Sequence, residues 1–157
     1  MDLYQTIYPL KDEFQIHRIN TTAEKFDPAG LLFDVVLATN FLGHTYDARA
    51  VIKNIKRALK NDGILYLSTN IYTFTGYLLR KMLNPLGIDR AHTYTFMKTH
   101  IDRLLINSGF RTIFQHHNTP KDQYRIMRDS GVRVLKLLAA CHIPVFHYVC
   151  ICKKAQY

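Results

Sequence analysis

Histidine and cysteine are the residue types here that could bind metals or transfer protons. Their spacing indicates whether they could form a metal site. His116 and His117 are adjacent in a strand-like run, so their side chains point to opposite faces. Cys150 and Cys152 are separated by one residue and have no Cys-x-x-Cys or His-x-x-x-His partner nearby. Neither pair has metal-site spacing, and no fixed catalytic triad stands out. The sequence therefore predicts no metal site.

The cysteine count and the composition bound the class of protein. Cys141, Cys150 and Cys152 cannot all pair, and so sparse a set favours reduced thiols in a cytosol-like compartment. The chain has 157 residues, of which 48% are hydrophobic, which excludes a disordered or low-complexity protein. No apolar run reaches the roughly 18–20 residues of a membrane span, and the N-terminus lacks a signal peptide's apolar region. We predict a single cytoplasmic domain over residues 1–157.

The formal net charge of +9 would attract anions such as nucleic acid or acidic lipid headgroups. The basic residues are spread along the chain, however, which favours an ordinary basic surface. Arg125, Arg128, Arg133 and Lys136 lie in a segment that fits either a core helix with a solvated face or a peripheral helix on an anionic membrane. No nucleic-acid recognition element stands out, so we do not expect a nucleic-acid partner.

The elements that must position a site alternate between strand-like and helical runs. Residues 33–39 form a valine-rich apolar run typical of a strand buried on both faces. Asp47 can cap a helix over 47–60, whose apolar residues recur at helical spacing, and Asn61-Asp62-Gly63 predicts the turn that ends it. Residues 64–69 predict the next strand. Such a strand–helix–strand unit predicts two parallel strands joined by a right-handed crossover.

The same alternation continues along the chain and predicts an α/β layered domain with a mainly parallel sheet. In such sheets ligands bind beyond the carboxyl ends of the strands, so the loops after residues 39 and 69 are the candidate functional segments. The other predicted elements are strands at 16–19, 110–116 and 145–152, and helices at 74–83, 96–107 and 124–140.

Several motifs over residues 33–70 occur in the order and spacing of one family. This run resembles the middle of the class I S-adenosylmethionine-dependent methyltransferases, whose pattern is FDvV, vLeH, an acid, and a helix ending in LKpGG. The matching residues are Phe33-Asp34-Val35-Val36, Leu42-Gly43-His44, Asp47 and Leu59 to Gly63. Flanking segments that are similar to the family are Thr22 to Phe26, His92 to Phe96, and Ser108-Gly109-Phe110.

The resemblance implies an incomplete Rossmann-like methyltransferase fold, with helices on both faces of a mainly parallel sheet and an antiparallel C-terminal strand. It implies S-adenosyl-L-methionine as cofactor and a small molecule, lipid or sugar as methyl acceptor. Methyl transfer from a sulfonium mainly requires that donor and acceptor are held in line. A base is needed only where the acceptor loses a proton.

The resemblance also assigns the cofactor side of the site. Asp2 would accept the ribose hydroxyls, and Thr22 and Ala23 would line the adenine site through their backbone. Asn40 and Phe41, directly after the strand at 33–39, would contact the methionine end and the sulfonium. An aromatic face near a cation contributes about 0.5–2 kcal/mol.

The acceptor side is assigned to residues from the second loop and from the segment after residue 91. Asn70 and Tyr72 follow the strand at 64–69, and Tyr94 lies in the segment that would cover the acceptor pocket. His92 is the acid–base candidate for a hydroxyl acceptor, because histidine titrates near neutral pH. His44 could act as a base or could hydrogen-bond a backbone carbonyl to fix its loop, and the structural role is favoured.

The family's first strand and its glycine-rich loop have no counterpart here, since the first glycine is Gly30. Only glycine easily lets the backbone approach the cofactor at that loop. We therefore expect an N-terminally truncated domain with impaired cofactor binding. The alternative is a natural short form that acts as a non-catalytic binding module, with the exposed sheet centre covered by a partner or, in a homodimer, by a second copy.

Overall fold

The computed structural model describes residues 19–83, 93–131, 133–140, 143 and 145–155. Of the predicted strand at 16–19, only Ile19 lies in this range, and it is exposed and outside regular secondary structure. A short 3-10 turn, Leu42–His44, precedes the first helix. The main elements are β1 (Phe33–Thr39), α1 (Ala48–Ala58), β2 (Leu59–Tyr72), α2 (Phe74–Leu83), α3 (Lys98–Asn107), β3 (Phe110–His117), α4 (Pro120–Asp129), α5 (Arg133–Ala140) and β4 (Val145–Lys154).

The four strands lie in the order β1-β2-β4-β3. β1 and β2 are parallel, which confirms the strand–helix–strand unit through α1. β4 is antiparallel to both β2 and β3, which confirms the antiparallel C-terminal strand. The α/β fold is therefore as expected. The described sheet is mixed rather than mainly parallel, because β4 enters between β2 and β3 and runs against both.

Helix α1 begins where its sequence provides a cap. The Asp47 carboxylate accepts hydrogen bonds from the backbone N–H groups of Arg49 and Ala50, at 2.9 and 3.0 Å. These amides have no partner within the helix, so the cap stabilises its first turn. One face of the helix is buried, formed by Ala48, Val51, Ile52, Ile55 and Ala58.

The end of α1 and the start of β2 differ from the sequence prediction. The helix ends at Ala58 rather than at residue 60, and the strand begins at Leu59 rather than at 64. Leu59 is extended and fully buried, and burial of a leucine outweighs the turn preference of the residues that follow. Gly63 belongs to an irregular part of β2, where an added Cβ would lie 3.0 Å from the carbonyl oxygen of Phe33.

The single helix predicted at 124–140 is two helices. Thr119 caps α4 by accepting from the backbone N–H of Asp122 at 3.2 Å, and proline at the first helical position favours this start. Ser130 is extended, and its hydroxyl donates to the carbonyl of Met127 at 2.8 Å. The sequence pattern missed this break because the apolar spacing resumes on the far side of it.

The core lies on one face of the sheet, here called the covered face. Its central side chains are Leu65 and Leu67 of β2 with Tyr148, Cys150 and Cys152 of β4, all fully buried. They form one cluster with the buried residues of α1 and α3. The two helices and the sheet therefore make a two-layer core.

The opposite side is here called the open face, and it is lined by Val35, Leu37, Tyr66, Phe114 and Ile151. Val35 and Leu37 are 52% and 71% exposed, and Phe114 on the far strand is 52% exposed. Tyr66 and Ile151 between them are half-buried. An apolar surface thus extends across the sheet from β1 to β3.

Candidate functional site

The carboxyl ends of β1 and β2 meet at one end of the sheet, as their parallel pairing requires. Thr39 pairs with Ser68, and the next residue, Asn40, donates its backbone N–H to the Ser68 carbonyl at 2.8 Å. Asn40 has a φ of 55°, in the left-handed region that asparagine tolerates better than most residues. The chain therefore turns sharply at the end of β1, and Asn40 remains exposed.

The segment after Asn40 is fixed by one buried side chain and by two hydrogen bonds from a tyrosine of a distant segment. Leu42 is fully buried, and the Thr45 hydroxyl donates to its carbonyl at 2.9 Å. Tyr94 donates its backbone N–H to the Gly43 carbonyl at 3.1 Å and its hydroxyl to the Tyr46 carbonyl at 2.7 Å. Two hydrogen bonds thus fix Tyr94 across the segment that follows β1.

The end of β2 is bordered by aromatic and basic side chains. Asn70 and Tyr72 belong to the strand itself, which extends to Tyr72, and not to a loop after residue 69 as the sequence predicts. Tyr72 donates its backbone N–H to the Phe96 carbonyl at 2.8 Å. Arg80 of α2 donates to the Tyr72 hydroxyl at 2.6 Å and lies over its ring at 5.2 Å from the centroid.

The segment at 22–24 is tied to the same end of the sheet. The side-chain amide of Asn54 donates to the carbonyls of Ala23 and Glu24, at 3.1 and 2.7 Å. The Glu24 carboxylate accepts the backbone N–H of Tyr46 at 2.8 Å. Hydrogen bonds from backbone N–H groups, its own first and that of Tyr46 next, hold the pKa of Glu24 below its ordinary value.

The structure brings together most of the residues proposed from sequence. Asn40, Phe41, Asn70, Tyr72 and Tyr94 lie at the end of the sheet where β1 and β2 terminate. Phe41 and Ala23 are half-buried against the core. Thr22, which precedes Ala23 in the sequence, is exposed. Asp2 and His92 fall outside the described residues. His44 is exposed in the 3-10 turn.

Sequence reasoning missed several residues that hold this region together. Glu24 and Tyr46 join segments twenty-two positions apart, a separation that no local pattern reveals. His100 was also missed, and its Nδ1 accepts the Met97 backbone N–H at 3.4 Å at the start of α3. The capping position before an amphipathic helix was the available signal for His100. Arg80 could have been found from its position almost two turns into the helix that begins two residues after Tyr72.

The described residues fit one side of a nucleoside–sulfonium cofactor. Asn40 turns the chain at the strand end, and the half-buried Phe41 follows it. An aromatic ring is a residue type that suits a cationic sulfonium. Within the described ranges, β1 is an edge strand of the sheet, and its outer side has no neighbouring strand. We call this end of the sheet, with Asn40 and Phe41 on it and no described strand beyond β1, the half-pocket.

Two other kinds of site were not found in this part of the chain. No group of three or more histidine, cysteine, aspartate or glutamate side chains among the described residues is placed to hold a metal ion. No helix in the same ranges has the length and apolarity to cross a bilayer.

Several solved structures that are similar to this chain in fold are methyltransferases. A putative methyltransferase from Bacillus halodurans is 14% identical with a TM-score of 0.65, covering 97% of this chain and 77% of its own. The O-methyltransferase of a trans-AT PKS multienzyme from Brevibacillus brevis, solved with S-adenosyl-L-homocysteine, is 14% identical with a TM-score of 0.60, covering 87% of this chain. A SAM-dependent methyltransferase from Methanosarcina mazei is 18% identical with a TM-score of 0.55, covering 87% of this chain and 66% of its own.

These similarities establish the fold, and a sequence-family match establishes the family. The present chain spans 48% of the Brevibacillus protein, about half of its length. No curated protein sequence matches it significantly. A family model described as a methyltransferase domain matches residues 8–115, more than half of the 157 residues. The half-pocket at the ends of β1 and β2 thus lies in a chain that belongs to the methyltransferase domain family.

Proposed function

We propose that this chain is part of an S-adenosyl-L-methionine-dependent methyltransferase that acts on a small-molecule, lipid or sugar acceptor. The observation that supports it best is the meeting of three segments at one end of the sheet: the turn after β1, the end of β2 and the Tyr94 segment. Ligands in α/β sheets bind at such carboxyl ends. Family membership provides the reaction class.

The bound cofactor would supply a methyl group on a sulfonium, and the protein's task is to hold donor and acceptor in line. On the cofactor side, Thr22 and Ala23 would border the adenine and Asp2 the ribose. Asn40 and Phe41 would lie against the methionine end, where the Phe41 ring favours the positive sulfur by about 0.5–2 kcal/mol.

On the acceptor side, Asn70, Tyr72 and Tyr94 would orient the acceptor. Tyr94 has its hydroxyl committed to the Tyr46 carbonyl, so it would act through its ring and through the segment it fixes. The Tyr72 hydroxyl is held by Arg80, which favours a neutral or anionic acceptor group nearby. His92 would take the proton from an acceptor hydroxyl.

We further propose that residues 1–157 are one N-terminally truncated domain whose cofactor binding is impaired. Among the described residues the outer edge of β1 has no neighbouring strand, which supports this proposal, because such a strand would supply the pocket's second wall. The free buried thiols of Cys150 and Cys152 support a reducing, cytoplasmic compartment.

Whether the protein contacts a membrane or nucleic acid depends on the basic segment that contains Arg125 and Arg128. In α4, Arg125 and Arg128 form ion pairs with Asp122 and Asp129, at 3.3 and 2.9 Å. Met127 between them is almost fully buried. The buried Met127 favours a packed helix over a helix that rests on an anionic membrane.

Calorimetric titration with S-adenosyl-L-homocysteine tests the proposal, using this chain and a form extended by the in-frame coding sequence upstream of Met1. We expect the extended form to bind and the present chain to bind weakly or not at all. Phe41→Leu in the extended form should weaken binding by about threefold to thirtyfold, the range expected for a lost cation–aromatic contact. The matched control is Phe114→Leu on β3, which should bind as the unmodified form does.

The second candidate is a non-catalytic binding module, favoured by the half-pocket that the described residues form. It predicts no cofactor binding by either form. Equal tight binding by both would instead contradict the truncation proposal and leave methyl transfer in place.

A further inference from the structure

Helices α4 and α5 form a pair that is inserted between β3 and β4. Because β4 is antiparallel to both β2 and β3, β3 runs parallel to β2 and ends at the same end of the sheet. His117, the last residue of β3, pairs with Tyr148, and Val145, the first residue of β4, pairs with Tyr72. The helix pair therefore starts and finishes at the end of the sheet that carries the half-pocket.

The segment after α5 lies against the helix that follows Tyr72. A Cβ added at Gly76 of α2 would lie 3.1 Å from Cγ2 of Ile143, so the two segments are in close contact. Ala140, the last residue of α5, precedes Val145 by five positions, which limits their separation to about 18 Å. The end of α5 thus lies near the residues proposed for the acceptor side.

Helices α4 and α5 line a groove of 760 Å³ between them. This volume is within the range of pockets that hold small molecules, about 300–1,000 Å³. Lys121 from the first turn of α4 and Ala140 from the end of α5 both line it. The groove therefore reaches the base of the helix pair, next to the sheet.

The charged side chains of the groove are mostly cations. Four cationic side chains and one carboxylate line it, a formal charge of +3, and they are Lys121, Arg125, Arg128, Lys136 and Asp122. Arg125 and Arg128 have ion-pair partners at 3.3 and 2.9 Å. Lys121 and Lys136 are exposed, and neither has an ion-pair partner in the part of the chain that the structure describes.

The carboxylate of the lining is already engaged at the start of α4. Asp122 accepts the Thr119 hydroxyl at 2.5 Å and pairs with Arg125 at 3.3 Å. It is not within ion-pair distance of either lysine. Exposed ion pairs are weak, so Arg125 can also contact an anion that binds in the groove. The excess positive charge is therefore available to a ligand.

We propose that this groove binds the acidic group of the methyl acceptor, a carboxylate or a phosphate, and that Lys121 and Lys136 are its main contacts. The inference rests on the proposed function and narrows the acceptor to an anionic small molecule. Charge-assisted hydrogen bonds from the two lysines, one on each helix, would hold the anion. The part of the acceptor that receives the methyl group would extend from the base of the groove toward Tyr72.

NMR titration of phenyl phosphate with the full 157-residue chain, followed at phosphorus, tests the groove without any cofactor. We expect saturable binding that weakens with added salt. Lys121→Gln with Lys136→Gln should raise the dissociation constant about tenfold or more, through the loss of two charge-assisted contacts.

The matched control is Arg49→Gln with Lys53→Gln, which removes the same charge from exposed residues of α1 and should leave binding unchanged. Circular dichroism establishes that each variant is folded. No binding by the wild-type chain, or equal weakening by the control, contradicts the proposal. Binding to phosphatidylglycerol vesicles that is lost in the double lysine variant, without loss of phenyl phosphate binding, would assign these lysines to a membrane and also contradict it.

Benzoate and benzyl alcohol define the chemistry of the groove. Benzoate should compete with phenyl phosphate, and the tighter of the two identifies the acid that the acceptor carries. Benzyl alcohol should not compete, because it carries no negative charge. Equal competition by benzyl alcohol and benzoate would show that the groove binds the ring rather than the acid, which overturns the proposal.

Methyl transfer by the N-terminally extended form tests the connection with the reaction, using acceptor pairs that differ only by a carboxylate or a phosphate. Release of S-adenosyl-L-homocysteine should be faster with the acidic member of a pair. The double lysine variant should raise KM for it about tenfold or more with little change in kcat, because the lost contact lies away from the reacting atoms.

The inference and the proposed function fail in different ways. Turnover of neutral acceptors alone, or no turnover of any acidic one by an extended form that binds S-adenosyl-L-homocysteine, contradicts the inference and leaves the cofactor proposal in place. Phenyl phosphate binding in the groove, with no S-adenosyl-L-homocysteine binding by the extended form, contradicts the proposed function and leaves the anion site in place.

Discussion

The covered and open faces of the sheet have similar apolar content and very different surroundings. Leu67 and Cys150, paired on the covered face, are both fully buried beneath α1 and α3. Tyr66 and Ile151, paired on the open face one position along, are half-buried. The strands thus carry hydrophobic side chains on both faces, as strands between two helical layers do. Among the described residues, only the covered face is well packed by helices.

The stability of the fold comes mainly from the covered face of the sheet. Apolar burial near the covered face supports the fold by itself, at about 25 cal/mol for each Å² removed from water. The open face retains apolar surface that only an additional layer or partner would remove from water. The largest difference between the faces should therefore appear in truncation of buried side chains.

Leu67→Ala should lower the free energy of unfolding by about 2–5 kcal/mol, because it leaves a cavity in a packed layer. Ile151→Ala on the open face should cost clearly less, since its side chain is only half-buried. Denaturant titration followed by circular dichroism measures both. Equal losses would show that the open face is as well packed as the covered one.

Asp47→Ala should lower stability by about 0.5–2 kcal/mol, through the loss of two hydrogen bonds to the first turn of α1. Because α1 covers the buried face, the effect should appear in global unfolding. Asp47→Ser keeps a capping oxygen and serves as the control. Equal destabilisation by serine and alanine at this position would contradict the capping role of the Asp47 side chain.

Glu24 predicts a smaller effect that depends on pH. Its pKa is lower in the folded state than in the unfolded chain, so its stabilising contribution is present above the ordinary value of 4.5 and is lost as pH falls through the folded pKa. Glu24→Gln should lose less stability on acidification than the wild-type chain. Parallel denaturant titrations at neutral and acid pH measure the difference, and identical pH profiles contradict it.

Phe114→Thr should change stability by no more than about 0.5 kcal/mol, because the side chain lies exposed on the open face and threonine suits a strand. Thermal unfolding measures it. A large loss would mean that a layer covers this end of the sheet in solution.

The parts of the fold that could be predicted are those written in local patterns. Asp47 with the apolar stripe after it gave α1, and the apolar run at 33–39 gave β1 to the residue. The start of β2 at Leu59 could not be predicted, because core burial of that leucine overrides the turn residues after it. The break at Ser130 was likewise hidden by apolar spacing that continues across it.

The candidate site was predictable in outline only. Parallel pairing of β1 with β2 follows from their order, and it brings Asn40 close to Ser68. The contact between Glu24 and Tyr46 joins distant segments through a single carboxylate, which no periodicity encodes. Asp2 and His92 remain predictions, since they lie outside the described residues.

The adjacent thiols of the covered face give this protein an internal reporter of its own opening. Cys150 and Cys152 are fully buried, with sulfur atoms 3.7 Å apart, and the neighbouring thiol together with burial raises the pKa of Cys150. Because neither sulfur is accessible to solvent, an alkylating reagent cannot reach them while α1 and α3 remain in place. Mass spectrometry of timed labelling would then count each departure of the helical layer from the sheet, without any added probe.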